Sequence, residues 1–214
     1  SAAEMTKMRY WHALPENWES LEYPEFLRQR RELMAQVIHD AYELLSGRAA
    51  AEVKPHVISI TDIVRQGETV ATEFKSTLRT NLHTNVPDPK IELSALRTIA
   101  GFVNTDGGTL IIGVADDGSP VGIDVDGFPN EDKMYLHFVN LIKDRIGPQH
   151  AMYISPHFGD FEGVRVLSVE CRRGQTPVFV KDGSIERFYV RLGPSTNELS
   201  ASQIQQYIKH RFRH

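Results

Sequence analysis

Apolar residues recur at two periods along the chain, and these periods separate predicted helices from predicted strands. Helical spacings of three and four residues occur in the segments 26–45, 93–103, 131–146 and 204–212. Pro24 and Gly47 suit the start and the end of the first of these helices. Ser200 and Gln203 form a capping-box signature before the last one.

Short apolar runs between turn residues predict the strands. They lie in the second half of 67–75, at 109–114, around a hairpin turn at 159–163 with a return strand at 164–171, at 179–180 and at 187–192. Residues 76–90 are rich in Asn and Pro and predict a loop. Helices and strands alternate, so the sequence predicts an α+β fold, a mixed sheet with flanking helices, preceded by a helical N-terminal extension. A linker predicted at 47–55 divides the chain into an extension at 1–55 and a main domain at 56–214.

Composition narrows the class of protein. Of 214 residues, 41% are hydrophobic and 24% are charged, which excludes disorder of the whole chain. No apolar run approaches the roughly 18 residues that a membrane span needs. Cys171 is the single cysteine, which excludes a disulfide framework and indicates a reducing, cytoplasmic setting. With a net charge of −4, the chain is expected to bind nucleic acid only through a local basic face.

One predicted strand near the C-terminus, RFYVRL, alternates between polar and apolar positions. Arg187, Tyr189 and Arg191 share one of its faces, because side chains alternate along a strand. Two guanidiniums beside an aromatic ring suit phosphate pairing and base stacking. Arg172 and Arg173 extend this basic set. The alternative is a half-exposed strand with an ordinary polar outer face.

Three blocks in a fixed order carry a family resemblance. They are GETVATEFK at 67–75, IAGFVNTDGGTLIIGVADDG at 99–118 and FYVRLGPSTNELSASQIQQYIKHRF at 188–212. Together they resemble the Schlafen-type AlbA-like domain over residues 63–212. The resemblance implies a compact domain that binds DNA or RNA. In the catalytic Schlafen members it implies a metal-dependent endoribonuclease built on three acidic residues.

The resemblance places that acidic trio at Glu68, Glu73 and Asp116, with Mg²⁺ or Mn²⁺ as the cofactor if the domain is catalytic. Carboxylate oxygens suit these cations, which activate water and neutralise charge in phosphodiester hydrolysis. Glu68 and Glu73 would face opposite ways on one straight strand, so Glu68 is expected to bend back after Gly67. Lys75 shares a strand face with Glu73 and suits either a scissile phosphate or an ordinary ion pair. The alternative for the acids is that they are solvated turn residues.

Three functions follow as hypotheses. The first is a nucleic-acid-binding domain of a bacterial or archaeal regulatory or defence protein, such as a transcriptional regulator. The second is a divalent-metal-dependent endoribonuclease that uses the acidic trio. The third is a noncatalytic protein-interaction module. The sequence leaves the oligomeric state open, with a dimer as one option, and convergence of the three carboxylates on one point would favour the enzyme.

Overall fold

The structure, a computed structural model, describes residues 22–46 and 59–212. The chain divides into two compact units, Ser1–Val57 and Ile58–His214. The linker predicted at 47–55 and the domain boundary predicted at residue 56 lie outside the described residues. Among the residues that are described, no helix is long and apolar enough to cross a membrane.

In the first unit, helix α1 spans Tyr23–Ser46, which confirms the predicted helix. Arg28 links successive turns of this helix, because its guanidinium pairs with Glu25 at 2.6 Å and with Glu32 at 2.7 Å. Such exposed pairs stabilise a helix only slightly. Leu27 and Met34 are exposed along the same helix.

The second unit has a mixed α+β architecture, as predicted. Its helices are α2 (Ile60–Gln66), α3 (Pro89–Asn104), α4 (Glu131–Arg145) and α5 (Ala201–Arg211). Its strands are β1 (Thr72–Lys75), β2 (Thr80–Asn81), β3 (Val86–Pro87), β4 (Gly108–Ile112), β5 (Ile154–Phe161), β6 (Val164–Cys171), β7 (Phe179–Asp182), β8 (Ile185–Leu192) and β9 (Ser195–Glu198). Short 3-10 helices lie at Asp124–Asp126 and Pro148–Tyr153.

The strands form a main sheet, a second sheet and a short ladder. The main sheet has the order β1-β4-β6-β5, in which β1 runs parallel to β4 and the other pairs are antiparallel. The second sheet is antiparallel with the order β7-β8-β9. Strands β2 and β3 pair with each other. The parallel pair makes the main sheet mixed, as the sequence predicted.

Apolar side chains cover both faces of the main sheet, because successive residues of a strand point to opposite faces. On one face, α3 buries its predicted apolar positions against alternate strand residues, as seen for Leu96, Val103, Leu110 and Leu167. On the other face, α2 contributes Val64 to a smaller cluster that contains Phe74, Ile111 and Val166. Leu110 and Ile111 therefore belong to different clusters.

The NTDGG segment joins α3 to both sheets. Asn104 is fully buried, and its amide donates to the carbonyl oxygens of Val178 at 2.8 Å and Tyr189 at 2.9 Å. Its carbonyl oxygen accepts from the Val178 amide at 2.8 Å. A side chain on Gly107 would place its Cβ 2.5 Å from the carbonyl oxygen of Cys171, and the residue has φ +87°. The NTDGG segment therefore has a structural role: Asn104 bonds to the second sheet, and Gly107 allows close packing against the end of β6.

The structure adds elements that the hydrophobic pattern missed. Helix α2 has only seven residues, too few to show a helical period, although Ser59 caps it by accepting from the Asp62 amide at 3.1 Å. Strands β2 and β3 lie inside the segment predicted as a loop. Strand β9 has the sequence STNE and carries no apolar alternation.

Candidate functional site

Glu73 lies in the middle of β1 and holds two cations. Its register partner is Leu110, which packs in the α3 cluster, so Glu73 points to the α3 face of the sheet. Its Oε1 accepts from Lys75 Nζ at 2.7 Å and its Oε2 accepts from Arg191 Nη1 at 2.7 Å. The side chain is 15% exposed. Lys75 thus forms the ion pair that was one of its two predicted roles.

Arg191 is a buried structural cation. Its side chain is 1% exposed and also donates to the carbonyl oxygen of Thr69 at 3.0 Å and to Thr196 Oγ1 at 3.1 Å. The guanidinium lies 4.8 Å from the centre of the Phe102 ring. A group held in this way is not available to a phosphate. The expectation that Arg191 belongs to an exposed basic face is therefore corrected.

Tyr189 is also buried, with 3% of its surface exposed. Burial is the main cause that raises the pKa of its hydroxyl. Strand β8 is covered on both sides, because α3 packs on the Tyr189 face and Phe188 meets the Tyr207 ring of α5 at 5.8 Å. Tyr189 cannot stack on a base, so the predicted stacking face is corrected as well. Arg187 is 33% exposed and pairs with Glu198 at 2.8 Å.

Glu68 bends back across the open edge of β1, the path expected after Gly67. Gly67 has φ +74°, a conformation that a side chain would strain. The Glu68 Oε1 atom accepts from the Phe74 amide at 2.8 Å. The amides of Thr109 and Gly113 bond to Ala71 and Lys75 of the β1 segment, so the Phe74 amide faces away from β4. Glu68 therefore satisfies an edge donor.

Asp116 is exposed in the turn that follows β4. Within residues 22–46 and 59–212, no group of three His, Cys, Asp or Glu side chains is placed to hold a metal ion. The expected convergence of Glu68, Glu73 and Asp116 on one ion is thus corrected. The structure brings Glu68 and Glu73 to one pocket, whose lining does not include Asp116. Both oxygens of Glu73 are already engaged by cations. The residues present do not fit the cation that the resemblance implied.

A polar pocket of about 440 Å³ lies between β1, α3 and β9. Six of its lining residues are Glu68, Glu73, Ser94, Arg97, Ser195 and Glu198. Arg97 Nε is shielded from solvent and has no hydrogen-bond partner among the described residues. The Arg97 guanidinium lies 5.4 Å from the centre of the Tyr189 ring. Sequence reasoning missed Ser94 and Arg97, which lie three positions apart and therefore share one side of α3.

A second group of cations lies where β4 begins and β6 ends. We call Arg172, Arg173 and Arg211 the arginine surface. Arg172 and Arg173 are exposed, and Arg172 donates to the carbonyl oxygen of Met152. Arg211 donates to the carbonyl oxygens of Thr105 at 2.6 Å and Gly174 at 3.2 Å. Arg172 and Arg173 are among the residues that the sequence predicted to contact nucleic acid, and the structure adds Arg211 to them.

Two charges of the arginine surface, those of Arg173 and Arg211, repel each other. Burial and then the nearby Arg173 guanidinium lower the pKa of Arg211 below its ordinary value. Asp106 pairs with Arg173 at 3.3 Å, but the Asp106 side chain is 88% exposed, so the pair is weak. The carbonyl oxygens that bond to Arg172 and Arg211 are uncharged, so they accept hydrogen bonds without neutralising the guanidinium charge. The arginine surface therefore keeps a positive charge that favours an anion.

A family model described as Schlafen, AlbA_2 matches residues 68–200. The chain belongs to this family. The matched segment of the AlbA_2 chain includes Glu68, the polar pocket, Arg172 and Arg173, but ends before Arg211. A search of curated proteins finds no match.

Two solved structures resemble the AlbA_2 chain at 20% identity. The DIP2311 protein from Corynebacterium diphtheriae matches 85% of this chain with a TM-score of 0.48, and the match spans only 33% of that protein's chain. The N-terminal domain of a Nitrosomonas europaea protein, described as related to the ATP-dependent DNA helicase RecG, matches 62% of this chain and 87% of its own, with a TM-score of 0.43. Both TM-scores lie below 0.5, so the identification rests on the family match.

Proposed function

We propose that the AlbA_2 domain of this chain binds nucleic acid, with the arginine surface as the contact to the phosphate backbone. The observation that carries the proposal is the closeness of Arg173 and Arg211: Arg211 donates to the carbonyl oxygen of Gly174, the residue after Arg173, and the Arg173 charge acts on it. A phosphate that bound between the two guanidiniums would relieve their repulsion. Membership of the AlbA_2 family supports the same substrate class, because the resemblance implied DNA or RNA binding.

Arginine is well suited to this contact. Its planar guanidinium offers five donors, and it stays charged at neutral pH. Arg172 and Arg173 follow β6 directly, so the sheet fixes where their backbone lies. Because the whole chain has a net charge of −4, its attraction to a phosphate backbone depends on a local positive surface such as this one. Contacts of arginine with phosphate contribute to affinity but do not distinguish one base sequence from another.

The test measures binding of fluorescent single-stranded and double-stranded oligonucleotides by anisotropy over a series of salt concentrations. The double variant Arg172→Ala/Arg173→Ala should weaken binding to all sequences alike. On duplex DNA, it should reduce the slope of log affinity against log salt by about 0.9 for each phosphate that the protein no longer neutralises.

The matched control is Arg65→Ala, which removes an exposed arginine of α2. It should leave both affinity and salt slope close to those of the wild type. The proposal is overturned if the double variant behaves like the control, or if the wild type binds none of the oligonucleotides at low salt. Circular dichroism of each variant establishes that the fold is retained.

The endoribonuclease hypothesis stays a prediction, and the geometry of the described carboxylates does not support it. Glu73 is committed to Lys75 and Arg191. Asp116 does not join Glu68 and Glu73 in a group that could hold a metal ion. The nucleic-acid-binding proposal above therefore does not rest on these three carboxylates.

A further inference from the structure

We infer that the polar pocket between β1, α3 and β9 receives one unpaired guanine base of a nucleic acid bound by the domain. The substrate class rests on the proposed function. The pocket itself is built from residues other than those of the arginine surface. It would supply base selection, which phosphate contacts cannot provide.

The charges around the pocket favour a polar ligand without a net charge. Glu73 is neutralised by Lys75 and Arg191. Glu198 is neutralised by Arg187 at 2.8 Å. Arg187 also pairs with Asp182 at 3.4 Å, so three cations balance three carboxylates in these pairs. The remaining charged groups are Arg97 and Glu68, one of each sign. A phosphate here would gain no net attraction, because the cations and carboxylates around the pocket balance one another. A nucleobase, which is neutral and rich in donors and acceptors, does not depend on such an attraction.

Arg97 supplies the donor side of the pocket. Its Nε is shielded from solvent and is unpaired among the described residues, and a buried unpaired donor is unfavourable. Because Nε is closed to solvent, a ligand in the pocket would be contacted by the outer Nη atoms of the same guanidinium. Arginine pairs in a bidentate manner with the O6 and N7 atoms of guanine, the commonest specific contact of a protein with a base.

Glu68 supplies the acceptor side. One of its oxygens accepts from the Phe74 amide at 2.8 Å, and an ionised carboxylate has about four acceptor sites in all. Guanine carries N1–H and the N2 amino group side by side, a pair of donors that a single carboxylate can accept. Adenine and cytosine each offer one amino group, and uracil offers one ring N–H. Guanine thus uses both free charges of the pocket. The volume of about 440 Å³ lies within the ordinary range for small-ligand sites.

The first test uses nucleosides, which carry no phosphate and so do not depend on the arginine surface. Guanosine, adenosine, cytidine and uridine are titrated into isotope-labelled protein, and amide chemical shifts are followed by NMR. Guanosine should bind about tenfold more tightly than the other three. Arg97→Gln should abolish this preference, whereas the control Arg65→Gln should keep it.

A second variant covers the case in which Arg97→Gln fails to fold. Ser195 is exposed on β9 and lines the pocket, so Ser195→Leu fills space at a position that tolerates substitution. It should also remove the preference for guanosine. The inference is overturned if the four nucleosides bind equally, or if a folded Arg97→Gln or Ser195→Leu protein keeps the preference.

Oligouridine with a single guanine at its centre then separates the two proposals, because its number of phosphates equals that of plain oligouridine. If both oligonucleotides bind equally and guanosine shows no preference, the pocket inference fails while the proposed function stands. If neither oligonucleotide binds but guanosine is preferred, the proposed function fails and the pocket is a nucleoside site. Tighter binding of the guanine oligonucleotide, abolished in Arg97→Gln, supports both.

Discussion

Replacing Glu73 with glutamine removes the carboxylate that neutralises the buried Arg191. The resemblance gives Glu73 the same catalytic role as Glu68, whereas the structure gives the two acids different surroundings. The Arg191 side chain is 1% exposed and its Nη1 lies 2.7 Å from Glu73. The Glu68→Gln change affects an exposed side chain instead. The free energy of unfolding of the Glu73→Gln variant therefore distinguishes a structural role of Glu73 from a purely catalytic one.

The expected loss of stability follows from these contacts. Removing one partner of a buried ion pair costs about 3–5 kcal/mol. Glutamine retains one acceptor for the guanidinium, and Arg191 keeps its bonds to Thr69 and Thr196. We therefore expect Glu73→Gln to lower the free energy of unfolding by about 2–3 kcal/mol, slightly less than the cost of losing the partner completely. A domain of this size would lose about 4–12 °C of melting temperature.

The assay is urea unfolding followed by far-UV circular dichroism, with Glu68→Gln as the matched control. That control should cost less than about 1 kcal/mol, since exposed substitutions seldom cost more. The double variant Glu73→Gln/Arg191→Met removes the buried charge as well and should recover at least half of the loss. A Glu73→Gln protein as stable as Glu68→Gln would show that the ion pair contributes little, and the structural role would be refuted.

Two further changes test the interior. Asp126 accepts from the amides of Leu78, Arg79 and Thr80 at 2.8–2.9 Å, so Asp126→Ala should destabilise the domain by about 3 kcal/mol in urea unfolding, because it leaves buried donors unpaired. A loss below about 1 kcal/mol would contradict that account. Burial lowers the pKa of His150, so the unfolded chain binds a proton more readily, and stability should fall as the pH drops below about 6.5. His150→Leu should reduce this dependence in thermal melts between about pH 5 and 7, and an unchanged pH profile would assign the dependence to another group.

The hydrophobic pattern predicted the elements better than it predicted the site, and β8 shows why. Alternation along RFYVRL identified correctly that Tyr189 and Arg191 share a face. It carried no information about what covers that face, because α3 lies far away in sequence and approaches only in the folded chain. The partners Glu73 and Arg191 are separated by 118 positions, and no local spacing connects them.

The short elements failed for a different reason. A seven-residue helix such as α2 completes barely two turns, so its apolar residues show no period. Arg97 was missed because it is one of several polar residues of α3, and the sequence of the helix alone does not distinguish it from a solvent-exposed one. Its place in the pocket depends on β9, a strand whose polar sequence gave no signal.

The placement of Asn104 bears on how the domain unfolds. One amide bonds to Val178 before β7 and to Tyr189 in β8, while the residue itself ends α3, which packs on the main sheet. The second sheet can separate from the helix only if these bonds break together. We expect the two sheets to behave as one cooperative unit, so that the Val178 amide exchanges its hydrogen only through global opening. Asn104, at the end of α3, would thereby determine how large a part of the domain must unfold in a single step.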